Sequence, residues 1–172
     1  GLDTVKAGHI GGCMSMADLL AVLYGEVMNV DPKNPQLKTR DRLVVSKGHC
    51  GPVVYAALAL KGYFPMEWMK TINLSQTKLP SHCDMNMVPG IDMTTGSLGQ
   101  GMSTALGLAW GLRYQKINSY VYLVLGDGEC DEGTTWECAL FAKQYKLDNL
   151  IVIIDHNKMQ AMGFCENTMN LE

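Results

Sequence analysis

The chain has 172 residues, 47% of them hydrophobic and 18% charged, which is enough for one domain with a sizeable core. A formal net charge of -3 argues against a nucleic-acid or anionic-membrane partner, and no apolar run reaches membrane-spanning length. Six cysteines without a C-x-x-C spacing argue against a zinc site and a disulfide framework, so free thiols in a reducing cytoplasm are expected.

In chain order, Gly8-His9-Ile10-Gly11-Gly12 reads as a flexible turn carrying a histidine. Ser15 is expected to N-cap a helix with Asp18 in its first turn, and Leu19, Leu20, Leu23, Val27 and Met28 follow at helical spacing. Residues 29–35 form a loop rich in Asn, Asp and Pro. Leu43-Val44-Val45 reads as a short buried strand, and Ser46-Lys47-Gly48-His49 places a second histidine at its carboxyl end. Pro52 suits the first turn of a helix that stops at Gly62, and Pro65 opens a further short helix. Residues 75–95 read as a long loop carrying His82, and loops of that length often have a function. Thr94 to Gly101 then leads into a helix of small residues reaching Leu112. This glycine spacing is neither a Rossmann fingerprint nor a Walker loop. Taken alone, it fits a helix packed closely on a neighbour. Trp136 is expected to pack in the core, and Cys130 to fill space in a loop.

The richest stretch is Tyr120 to Gly133, echoed by Asn149 to Asn157. An apolar run ends in Gly126-Asp127-Gly128, a helical segment follows, and a second apolar run ends in a polar cluster. That is a βαβ unit, so the two strands are expected to be parallel neighbours. Their carboxyl ends are where open α/β sheets bind ligands. The two glycines allow close backbone approach, and a loop opening a helix offers N–H groups to phosphate. Asp127 would repel a phosphate unless a hard cation lay between them. Mg²⁺ takes few protein oxygens and completes its shell with phosphate and water. Asn157 can supply a second side-chain oxygen. The plainer alternative makes Gly-Asp-Gly a turn and Asn157 a cap.

Gly126-Asp-Gly followed some thirty residues later by Asn157 resembles the thiamine diphosphate motif. The stretch through Glu132 and Glu137, with Lys146-Leu-Asp-Asn-Leu150, resembles transketolase in particular. Gly8-His9-Ile10-Gly11, Arg40-Asp41-Arg42, Ser46-x-Gly-His49 and Thr95 to Gly101 extend the resemblance over nearly all of the chain, while Ser81-His82-Cys83-Asp84 departs from the family pattern. Ile10, where longer members have proline, is similar to the split transketolases in which this region is a separate subunit.

The resemblance implies an α/β fold, a parallel sheet with helices on both faces. It implies one thiamine diphosphate-binding domain over 1–172, incomplete at both ends. The implied activity moves a two-carbon ketol unit from a ketose to an aldose, with sugar phosphates as substrates. His9, His49, His82 and Glu132 are the expected catalytic residues. His49, Gly96, Ser97, Leu98, Asp127, Gly128, Glu129 and Asn157 are expected to hold thiamine diphosphate. Asp127, Asn157 and the Met159 carbonyl would bind Mg²⁺, or Ca²⁺ or Mn²⁺ in its place. A companion domain or subunit would supply an activating glutamate, in a dimer or α2β2 heterotetramer. His156 matches no catalytic position. Rival readings are another thiamine diphosphate enzyme, such as a 2-oxoacid dehydrogenase E1 subunit or a deoxyxylulose phosphate synthase, and a non-catalytic phosphate-binding module.

Overall fold

The computed structural model describes residues 8–161 and 163–171. Its centre is a parallel sheet of three strands, β1 (Arg42–Val45), β2 (Val121–Gly126) and β3 (Leu150–Asp155), in spatial order β1-β2-β3. The β2–β3 pairing expected from the sequence is present, with Val121 opposite Leu150 and Gly126 opposite Asp155.

Side chains alternate across a strand, and both faces of this sheet are covered. Leu43, Val45, Tyr122 and Val124 face a core built with α1 (Ile10–Ser15), α2 (Ala17–Val22) and α3 (Gly51–Lys61). Val44, Val121, Leu123 and Leu125 face α4 (Gln100–Tyr114), which presents Met102, Ala105, Ala109 and Leu112. α5 (Gly133–Gln144) crosses from β2 to β3 and packs on α4, where the Trp110 and Tyr145 rings meet edge-on at 4.8 Å. The short pair β4 (Met159–Gln160) and β5 (Gly163–Phe164) follows β3.

Among the described residues, β3 has a strand on one side only, and Ile151, Val152 and Ile154 stay partly exposed. The loop before β1 is tied down by a buried carboxylate. Asp92 accepts from the Arg40 guanidinium at 2.5 Å and from the Leu43 amide at 2.8 Å.

Several local expectations hold. Pro52 lies in the first turn of α3, and Gly62 closes it in the left-handed conformation with φ 99°. Residues 72–99 contain no helix or strand.

Others change. The Gly8–Gly12 turn is helical from Ile10 onward, and Ser15 ends α1 instead of capping the next helix. Its hydroxyl is taken by the Gly12 carbonyl and the Asp155 carboxylate, a tertiary pairing that local preference does not reveal. Trp136 is 52% exposed and not in the core: it lies in the first turn of α5, where its indole N–H reaches back to donate to the Cys130 carbonyl. All six cysteines are free thiols, and Cys130 is buried at its loop position. Among the described residues, no helix is long and apolar enough to cross a membrane.

Candidate functional site

The carboxyl ends of β1, β2 and β3 open onto a cavity of about 490 Å³. β2 ends at Gly126, and a 3₁₀ turn over Asp127–Asp131 leads into α5. The turn holds Asp127 at 2% exposure. One oxygen of Asp127 accepts from the Gly128 amide at 3.0 Å, and the other accepts from the Lys158 amide at 2.7 Å. The second bond pins the segment after β3 to the turn after β2. Asn157 is thereby brought to the wall that also carries Asp127, Gly128 and Met159. Its side-chain oxygen accepts from the Met159 amide at 3.0 Å.

The rim of the same cavity carries His9 and His49, with ring centroids 4.8 Å apart. The His49 pKa is lowered to about 4, chiefly because burial penalises the imidazolium, with repulsion from His9, Lys47 and His82 adding to it. The His49 imidazole is therefore neutral at physiological pH, able to donate from one nitrogen and accept at the other.

Of the expected site residues, His9, His49, Leu98, Asp127, Gly128, Glu129, Asn157 and Met159 line this cavity. Gly96 and Ser97 border a smaller neighbouring hollow of about 310 Å³. His82 lies over Gly96, where an added Cβ would meet its ring at 3.0 Å, and its carbonyl accepts from the Tyr55 hydroxyl. Glu132 is exposed at the start of α5, with its side chain against Gly99. The loop bearing His82 and Gly96 docks on β1 through close backbone approach at Gly48, where an added Cβ would lie 2.8 Å from the Gly96 nitrogen. The Thr95 hydroxyl donates to the Val45 carbonyl at 2.6 Å.

Sequence reasoning passed over Lys47, Gln160 and Asp155. Lys47 is buried on the cavity wall and ion-paired with Asp155, which also accepts from the Ser15 hydroxyl at 2.5 Å. A lysine within a strand-end tetrad was the one available signal for that pair. Behind the rim, Cys13 is lowered to about 7 by the hydrogen bond from Cys50, whose own thiol is pushed up by the same contact and by burial.

The donor set suits an anion bridged by a cation. Among the described residues, no group of three or more His, Cys, Asp or Glu side chains could hold a metal alone. One carboxylate, one amide oxygen and one backbone carbonyl would supply part of the oxygen shell that Mg²⁺ prefers, leaving the rest to ligand phosphate and water. The Gln160 amide nitrogen is buried on this wall with no oxygen partner and only the Cys165 thiol beside it. Gly128 packs directly on that side chain, since an added Cβ would come within 3.2 Å of it. A buried donor without an oxygen partner, beside bare backbone, is a setting that an anionic oxygen would satisfy.

The sequence matches the family described as "Transketolase, thiamine diphosphate binding domain" over residues 1–171. The chain belongs to the transketolase family. It is 53% identical over 171 residues to the 6-deoxy-6-sulfo-D-fructose transketolase subunit SqwG of Clostridium sp. (strain MSTE9), covering 99% of this chain and 62% of that protein. It is 42% identical over 167 residues to an apulose-4-phosphate transketolase subunit of Phocaeicola vulgatus, covering 97% of this chain and 59% of the relative. The chain thus spans about three fifths of the length of these curated relatives. Among solved structures, transketolase from Leishmania mexicana superposes with a TM-score of 0.92 at 34% identity, over 98% of this chain and 27% of that one. These transketolases share the parallel sheet with helices on both faces, so the fold class expected from the sequence is the one observed.

Proposed function

We propose that this chain is the diphosphate-binding part of a transketolase that transfers a two-carbon ketol unit between sugar phosphates, using thiamine diphosphate and Mg²⁺. The carrying observation is that one cavity is lined by Asp127, Gly128, Asn157 and Met159 together with His9 and His49. Asp127, Asn157 and the Met159 carbonyl would hold the cation. Gly128, with the buried amide of Gln160 beside it, would meet the diphosphate. When bound, the cofactor supplies a carbanion equivalent that accepts and passes on the ketol unit. The protein's own part is orientation and proton handling. Neutral His49 can donate a hydrogen bond to a sugar oxygen or accept its proton, and His9 lies within ring-contact distance to assist. His82 and Glu132 stand outside this cavity wall and would act at its margin, where a companion polypeptide closes the site. That companion, in a dimer or an α2β2 assembly, would supply the remaining contacts to the cofactor ring and to the substrate phosphate.

The test is a thermal or denaturant titration of the intact protein with thiamine diphosphate and Mg²⁺. At a hundredfold excess over the dissociation constant, wild type should gain about 2.7 kcal/mol. Asp127→Ala should lose that gain, because the cation would lose its buried carboxylate. Equal stabilisation of both proteins would remove the metal–diphosphate assignment.

A further inference from the structure

Glu129 belongs to the same turn as Asp127 but uses its carboxylate inside the protein. It is 1% exposed. One oxygen accepts from the Ser46 hydroxyl at 2.5 Å and from the Gly99 amide at 2.9 Å. The other accepts from the Gly126 amide at 2.9 Å. Ser46, fully buried, in turn accepts from the Gly101 amide at 3.1 Å. One side chain therefore joins three separate segments: the end of β1, the loop entering α4, and the end of β2. Gly99 meets it only in the left-handed conformation, with φ 80°. An ionised carboxylate is acceptor-only, and every atom facing it here is a donor.

The two loops so joined both line the cavity. Gly126 to Gly128 offers backbone, and Leu98, next to Gly99, offers an apolar side chain that is 40% exposed. We propose that Glu129 is a positioning residue that locks the Leu98-bearing loop to the Gly126–Gly128 turn at a fixed separation. A ligand with a diphosphate at one end and an apolar-faced ring at the other then finds both partners already spaced. The proposal rests on the cofactor reading of the cavity. It adds a residue whose task is to couple the two halves of that cofactor's site, with no contact to the cofactor of its own.

Glu129→Gln tests this with little change of shape. A carboxamide has one oxygen and one NH₂. Whichever way it is turned, the NH₂ opposes the Gly99 amide or the Gly126 amide, so the tie between the two loops is broken, while the Asp127 bonds to the Gly128 and Lys158 amides still hold the diphosphate turn in shape. Binding is measured by calorimetry on the intact protein in its native assembly, with two probes: thiamine diphosphate and inorganic diphosphate, each with Mg²⁺. Affinity for thiamine diphosphate should fall by about tenfold, the scale of one lost hydrogen bond, while affinity for inorganic diphosphate is held. A uniform loss for both probes, or no loss for either, would overturn the proposal. If Glu129→Gln does not fold, Glu129→Asp takes its place, since it keeps the carboxylate but is one methylene too short to reach both the Gly99 and Gly126 amides, and it is read by the same two probes with the same expected outcome. Wild-type protein that binds neither probe overturns the cofactor reading instead. The lock is then judged by amide exchange of ligand-free protein, where Gly99 or Gly126 must exchange faster in the variant; unchanged exchange at both would overturn it.

Discussion

At the floor of the cavity Asp127 and Glu129 are 2% and 1% exposed, and each carboxylate oxygen accepts from a named donor of the protein. At its rim His9 is exposed and His49 half-buried, and His82, just outside the wall, is exposed too. The floor is thus fixed before any ligand arrives, whereas the rim is a set of side chains set on a docked loop and a short helix. The difference fits a division of labour in which anion binding is preorganised by buried acceptors and backbone. Under the proposed function, the rim would keep imidazoles accessible to a reacting substrate. Preorganisation lowers the cost of binding, and accessibility is needed for proton exchange.

The comparison makes predictions that can break it. The largest concerns the rim. His49→Gln should lower ketol transfer in the complete assembly by about 10²-fold or more, while the denaturation midpoint stays near wild type. If activity survives, or if folding fails in parallel with it, the rim is structural and the contrast disappears.

The next effect concerns how tightly the floor is packed. An added Cβ at Gly101 would lie 2.7 Å from the Ser46 Cα, a backbone atom that cannot give way locally. Gly101→Ala should destabilise by about 1–3 kcal/mol through overpacking. Gly107, on the same helix, has open space at that position, and Gly107→Ala should stabilise by about 0.5–1 kcal/mol from helix propensity. Urea denaturation of the two variants side by side reads the sign directly. Changes of the same sign would mean that the contact between α4 and the end of β1 is looser than the geometry indicates.

The smallest effect is a pH slope. The His49 pKa in the folded protein, about 4, lies below the free value of 6.5. Between those values the unfolded chain binds more protons, so stability falls as pH drops from about 6.5 to 4 and this contribution levels off below. The slope is reduced by the solvent around a half-buried ring. His49→Gln should show a shallower decline over that window, and parallel curves for variant and wild type would mean that His49 titrates normally.

Much of the floor was legible before the structure. Gly126-Asp127-Gly128 and Asn157 end two apolar runs joined by a helix, and right-handed crossover places such ends side by side. The observed β2–β3 register does so. The helix stop at Gly62 and the start near Pro52 were readable because glycine and proline act through their own backbone limits. The polar clasps were not readable. Ser15 looked like a cap by local preference, yet it bonds Asp155 across 140 residues of sequence. Lys47 pairs with Asp155 and Glu129 with Ser46 and Gly99, each through segments far apart in the chain. Periodicity and turn chemistry are local, so the sequence by itself determined the three strands of the parallel sheet, most of the helices and the βαβ crossing, but not the short β4–β5 pair. Which buried charge meets which donor depends on how loops from different crossovers dock over the strand ends. Only the assembled sheet, with both faces covered, brings those groups out of water and into reach of one another.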